Sequence, residues 1–203
     1  MLNRYARALF ARVVAPVARA LLRAGIGPDV VTTVGTVGVV GAAVWFYPRG
    51  ELFLGSLVIG LFAFSDMIDG AMARESGRSS VWGAFLDSTL DRIGDAAIFG
   101  GLVLYFVGVG DDMVLAVVAL WCMALGALVS YVKARAEGLG MRADVGIAER
   151  ADRLVLILAA AGFSGLGVPY LLAVALWVLA IASPVTVVQR VVLVHRQATG
   201  ARL

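Results

Sequence analysis

Apolar residues fall along this chain in long unbroken stretches, at 30–47, 52–73, 82–109, 113–135, 153–166 and 168–194. Strands of a membrane barrel would alternate apolar and polar positions; these stretches do not. Most reach the ~20 residues that a helix needs to cross a ~30 Å hydrocarbon layer, and the fifth is short. Polar connectors punctuate them: Pro48-Arg49-Gly50-Glu51, Arg74 to Ser80, Gly110-Asp111-Asp112, residues 136–152 and Gly165-Leu166-Gly167. The pattern predicts an all-α integral membrane protein with six transmembrane helices.

Residues 1–24 follow a different pattern. Arg4, Arg7, Arg12, Arg19 and Arg23 fall within an arc of ~160° at helical spacing, with Leu2, Leu9, Phe10, Val13, Val17 and Leu21 supplying apolar surface. Pro16 is placed to kink the segment. The spacing predicts an amphipathic helix in the headgroup layer, its arginines toward anionic lipid. The plainer alternative is a helix packed on the rest of the chain. Gly25 to Pro28 interrupt it, and Asp29 is expected to cap the next helix. The chain thus divides into a juxtamembrane helix, 1–24, and a transmembrane domain, 25–203. The first apolar run begins behind five arginines, so no cleavable signal peptide is read.

Composition sharpens the class. Of 203 residues, 61% are hydrophobic and 15% charged, against about 25% charged in soluble domains. That excludes an ordinary globular domain and a disordered chain. A disulfide scaffold is excluded too, because Cys122 is the only cysteine. The net charge of +3 says little; its distribution says more. Arg74 and Arg78, then Lys133, Arg135, Arg142, Arg150 and Arg153, lie in or beside two connectors, while the opposite connectors hold Arg49 alone. The positive-inside rule then places both termini and those two connectors in the cytoplasm, beneath a multi-pass inner membrane protein. No internal repeat is visible, and no nucleic-acid partner is expected.

Acids are costly inside a membrane and mark function by default. Asp66, Asp69, Asp87, Asp91 and Asp95, five of the chain's 14 acidic residues, fall within the second and third stretches. Spacings of three and four put each set on one helix face. Counted inward from Arg74 and Trp82, Asp69 and Asp87 both lie ~7.5 Å deep, Asp66 ~12 Å and Asp91 ~13.5 Å. An antiparallel hairpin would bring four carboxylates to one depth, where hard divalent cations relieve their repulsion and recruit phosphates. Two ions ~3.5–4 Å apart would suit phosphoryl transfer. His195 is the only histidine and is remote in sequence, so zinc is not expected. Buried pairing with Arg74, Arg78 and Arg92 would account for only two or three of the acids.

These residues form the pattern D-x-x-D-G-x-x-A-R, eight residues, then G-x-x-x-D-x-x-x-D. Gly70 and Ala73 remove bulk beside the first acids, and Arg74 is suited to holding a phosphate. The pattern resembles the signature of the CDP-alcohol phosphotransferase family, with Asp66, Asp69, Gly70, Ala73, Arg74, Gly83, Asp87 and Asp91 all matching. The resemblance implies an integral membrane enzyme that displaces CMP from a CDP-linked lipid with an alcohol. It implies two metal ions per site, Mg2+ or else Mn2+, held by Asp66, Asp69, Asp87 and Asp91, with Asp91 as general base. Gly70, Ala73 and Arg74 would line the site for CDP-diacylglycerol.

Further stretches resemble the actinobacterial phosphatidylinositol phosphate synthases, a group within that family. Asp29, Val30, Val31 and Thr32, with Ser80, match its nucleotide-contacting segment. Lys133, Arg153 and Arg190 match its pocket for the acceptor's phosphate. The implied acceptor is inositol 1-phosphate or another phosphorylated polyol, and a homodimer is implied as well. Lys133 and Arg190 fall within apolar stretches, where cations are costly and point to function. For Arg135, Arg142 and Arg150 the positive-inside rule is reason enough. Asp95 continues the acidic face one turn beyond the signature and pairs, by expectation, with Arg92 or a cation of another helix. The rival readings are a phosphatidylglycerophosphate synthase taking glycerol 3-phosphate, a divalent-cation transporter and a non-catalytic lipid-binding scaffold. Transporters place their sites at midplane between repeats, which this sequence lacks.

Overall fold

The computed structural model describes residues 14–75 and 80–200, apart from the side chain of Asp66. All regular structure among them is helical. Residues 14–23 form α1. Then follow α2 (Pro28–Phe46), a single 3-10 turn (Tyr47–Arg49), α3 (Leu52–Ala63), α4 (Ser65–Glu75) and α5 (Val81–Val107). The chain continues through α6 (Met113–Glu137), α7 (Arg150–Gly165) and α8 (Leu171–Thr199). Among the described residues, four helical stretches are long and apolar enough to cross a membrane: Pro28–Arg49, Leu52–Glu75, Met113–Glu137 and Leu171–Thr199. The other two expected spans are helices of another character. α5 has 27 residues but carries Asp87, Asp91, Arg92 and Asp95, whereas α7 has only 16.

No more than 39% of the apolar window in any of the four stretches is buried, so most of each faces outward. Val30, Val34, Val37, Val44 and Trp45 are exposed on α2, and Val174, Trp177, Val178, Ile181 and Val188 on α8. A water-soluble protein does not bare apolar surface on this scale. The chain is a helical membrane protein whose apolar faces meet lipid.

Local chemistry sets the helix ends. α2 starts at Pro28, whose fixed φ suits the first helical position. Asp29 therefore does not cap α2 as expected. It sits inside the first turn, where its charge complements the helix dipole, and the Gly27 carbonyl accepts from the amides of Val30 and Val31. Asp112 does cap α6, accepting the Leu115 amide at 2.9 Å. The expected second span is broken at Phe64, between α3 and α4, immediately before the first acids.

By packing, the chain forms two compact units. The first comprises the residues up to Ala42 with Val58–Gly94. A methyl group on Gly35 would collide with Ser65 Oγ, and one on Gly38 with the Phe62 ring, so α2 runs tightly along α3 and α4. On α1, Val14 and Ala18 are buried one turn apart, while Arg19 pairs with Glu75 at 3.6 Å on the surface. One face of α1 is therefore packed. Arg4, Arg7, Arg12 and the apolar positions up to Val13 lie outside the described residues.

The second unit comprises Ala43–Leu57 and the chain from Asp95 onward. Within it α8 packs on α6 and α7, burying Cys122, Ile157, Leu176 and Leu179. The connector between α6 and α7 is fastened to α8 at three points. Thr186 Oγ1 accepts the Ala148 amide at 3.1 Å, and Arg190 Nε donates to the Val145 carbonyl at 2.9 Å. The Gln197 side chain both accepts the Arg142 amide (2.9 Å) and donates to the Arg142 carbonyl (2.6 Å).

Candidate active site

The first unit contains a cavity of about 250 Å³. Pro28, Asp29 and Thr32 of α2 form one wall, Asp69, Gly70 and Ala73 of α4 a second, and Ser80, Gly83, Ala84 and Asp87 a third. Its floor is polar by construction. Thr32 Oγ1 donates to Asp69 Oδ2 at 2.5 Å and lies 3.1 Å from the Pro28 carbonyl. Both side chains are buried, so this hydrogen bond fixes one carboxylate oxygen of Asp69 where water cannot compete for it. Ser80 Oγ accepts the Gly83 amide at 2.9 Å and so caps α5, which aims the first turns of that helix, and Asp87 with them, at the cavity.

Small residues keep the walls low. A methyl group on Gly83 would come within 3.2 Å of Ser80 Oγ and 3.6 Å of Asp29 Oδ1. One on Gly70 would meet the Arg74 guanidinium at 3.5 Å, so Arg74 folds back over its own helix at that glycine. A flat or charged group can therefore approach both the helix backbones and the carboxylates.

Of the residues expected from sequence, the cavity brings together Asp29, Thr32, Asp69, Gly70, Ala73, Ser80 and Asp87. Val30, Val31, Arg74 and Asp91 are not among its lining residues, and Val30 is exposed on α2. Asp91 lies one turn beyond Asp87, half-buried, with Arg92 3.5 Å away; Arg92 also donates to the Ser88 carbonyl at 2.7 Å. Asp66 belongs to the first turn of α4, but its side chain lies outside the described set, as does the whole of Arg78. Among the described residues no three carboxylate, histidine or cysteine groups gather into a metal-binding set. The cavity's donors do fit hard divalent cations: they are carboxylate and hydroxyl oxygens, with no histidine or cysteine in the wall.

The basic residues expected around the acceptor belong to the second unit. Lys133 Nζ is 2.9 Å from Asp144 and 3.9 Å from Glu137. The hydrogen bond from Lys133, reinforced by its charge and by Arg142 and Arg190, holds the Asp144 carboxyl below its usual range. Arg190 is 3% exposed and donates to the carbonyls of Val145 and Val129, at 2.9 and 2.7 Å. Arg153 is 2% exposed and donates to the Ala148 carbonyl at 3.3 Å. It also donates to Asp95 at 3.3 Å, while Arg150 Nε donates to the other Asp95 oxygen at 3.2 Å. Asp95 thus meets two cations of α7 and not Arg92. Asp144 is invisible in the sequence, since a lone acid in a polar connector carries no local signal.

A family model described as CDP-alcohol phosphatidyltransferase matches residues 26–188. The chain is 55% identical over 208 residues to the phosphatidylinositol phosphate synthase of Streptomyces avermitilis, covering 99% of this chain and 85% of the relative. It is 49% identical over 198 residues to the enzyme of that name from Cutibacterium acnes, covering 94% and 96%. Among solved structures, the Mycobacterium tuberculosis phosphatidylinositol phosphate synthase with CDP-DAG bound superposes with a TM-score of 0.87 at 45% identity, covering 91% of this chain and 94% of that one. The same enzyme in complex with manganese and citrate gives a TM-score of 0.86 at 44% identity, covering 89% and 88%.

Proposed function

The chain belongs to the CDP-alcohol phosphatidyltransferase family, and we propose that it transfers the phosphatidyl group of CDP-diacylglycerol to inositol 1-phosphate, releasing CMP and forming phosphatidylinositol phosphate. Membership makes it an enzyme; the named acceptor rests on its likeness to the relatives above. The observation that carries the reading is the cavity that Asp69 and Asp87 line together with the small residues Gly70, Ala73 and Gly83. Oxygen ligands beside an open, low-walled surface are what a nucleotide diphosphate requires.

Asp66, Asp69, Asp87 and Asp91 would hold the divalent cations, two Mg2+ ions or else Mn2+, which would supply the positive charge that neutralises the diphosphate and polarises its phosphorus. The nucleotide end of the lipid lies along Asp29, Thr32 and Ser80, with Val30 and Val31 on the adjoining turn of α2. Its acyl chains stay in lipid. Arg74, folded over Gly70, would steady the charge on the departing CMP. The acceptor is held by its own phosphate through Lys133, Arg153 and Arg190, so its hydroxyl arrives already oriented. Asp91 takes the hydroxyl proton as the oxygen attacks. The enzyme works as a homodimer in the cytoplasmic membrane, with both termini and the active site on the cytoplasmic side. The excess of Lys and Arg in the two connectors on that side supports this orientation.

The test is CMP release by the purified enzyme from CDP-diacylglycerol, with inositol 1-phosphate, inositol or glycerol 3-phosphate as acceptor. Release is expected with inositol 1-phosphate, lost on chelation and restored by Mg2+ or Mn2+. Turnover with glycerol 3-phosphate alone would reassign the acceptor. Metal-independent release would remove the role given to the carboxylates.

A further inference from the structure

Asp95 lies outside the signature, yet it is 15% exposed and commits both carboxylate oxygens, Oδ1 to Arg150 Nε at 3.2 Å and Oδ2 to an Arg153 terminal nitrogen at 3.3 Å. The two arginines are three residues apart in the first turn of α7. There they repel each other, and both face the positive end of the helix dipole, where cations are disfavoured. One carboxylate shared between them offsets both costs.

The grip also orients. Bonding through Nε fixes the plane of the Arg150 guanidinium. Arg153 is fixed further by the carbonyls of Ala148 and Gly126, at 3.3 and 3.5 Å, and lies flat against Gly126, where a methyl group would approach it to 3.4 Å. Arg153 is 2% exposed and Arg150, at 28%, is the more open of the two.

We propose that Asp95 is a positioning residue for the acceptor, holding Arg150 and Arg153 so that a preset pair of cations awaits the acceptor's phosphate; this rests on the acceptor-pocket reading above. Arg150 thereby joins the acceptor pocket, a role that the positive-inside rule alone does not give it. The shared carboxylate would otherwise be only a structural tie between α5 and α7, and kinetics separate the two roles.

The experiment measures KM for inositol 1-phosphate and for CDP-diacylglycerol separately, with the purified full-length enzyme and its Asp95→Asn, Asp95→Glu, Arg150→Gln and Lys133→Gln variants. Asp95→Asn and Arg150→Gln are each expected to raise the acceptor KM on the order of tenfold, as loss of a charge-assisted hydrogen bond does, with the CDP-diacylglycerol KM unchanged. Asp95→Glu should recover part of the loss, and the Asp95→Asn/Arg150→Gln double variant should be little worse than either single one. If Asp95→Asn does not fold, Arg150→Gln, at a partly exposed position, decides. An unchanged acceptor KM in Arg150→Gln, or an Asp95→Asn enzyme in which both KM values move together, overturns the proposal. Lys133→Gln tests the pocket itself. If it raises the acceptor KM while Asp95→Asn does not, only the positioning role falls; if it leaves that KM unchanged, the acceptor pocket falls as well.

Discussion

Thr32 illustrates how much a single hydroxyl decides. The sequence marks it as a nucleotide contact, and in the fold it lines the cavity while donating to Asp69. Partners that hold a ligand in place commonly change metal affinity 10- to 100-fold when lost. Thr32→Val, nearly the same shape without the donor, should raise the Mg2+ concentration for half-maximal activity on the order of tenfold. Titration of Mn2+ binding by electron paramagnetic resonance would show the same loss without turnover. An unchanged metal titration would reduce Thr32 to packing. Asp69 and Asp87 were legible as candidates for one site because an acid in an apolar stretch is too costly to persist without a use. The partners of each were not, since helical spacing gives the face a residue shares but not the neighbour opposite. Asp95 shows the limit: its spacing joins it to Asp91, whereas its charge is satisfied by α7, more than 50 residues on.

At the scale of helices, the long apolar periods located most elements to within a few residues, and the errors have local causes. Proline set the start of α2 one residue before the expected cap, Asp29. The second stretch is apolar from Leu57 up to Phe64, so nothing in its pattern announced the break there. Glycines carry the packing of the first unit. Gly35→Ala should push α2 off α4 and cost about 1–3 kcal/mol, the usual penalty of overpacking, seen as a lower unfolding temperature in detergent. Gly41, with open space beside it, should accept alanine without such a loss. The α6–α7 connector answers to acid. Asp144 has its carboxyl pKa lowered in the fold, so its link to Lys133 is fully present above the ordinary carboxylate range and is lost as pH falls through the lowered value. Hydrogen exchange in residues 138–149 should therefore be insensitive to this group from neutrality down to about pH 5, and weaken only under stronger acid.

For the whole molecule, the balance of apolar and basic residues set the environment, and composition alone was enough to read it. Orientation rests on the connectors. In a Cys122→Ala background, Leu139→Cys should be shielded from an impermeant maleimide added outside intact cells, and Val109→Cys should react. The reverse pattern would invert the proposed topology. Two compact units built from interleaved stretches of chain were not legible, because the three boundaries fall inside α2, α3 and α5, where the helical pattern runs on without interruption.

The Gln197 amide meets the peptide group of Arg142 as one β-strand meets another, offering an acceptor to its N–H and a donor to its C=O. No carboxylate could do both, and asparagine would fall short by a methylene. The final turns of α8 thereby act as a latch across 55 residues of sequence. Trimming the chain before that glutamine would shorten α8 by only its last three residues, yet it would free the Arg142 end of the strap and leave Arg190 and Thr186 to hold the rest.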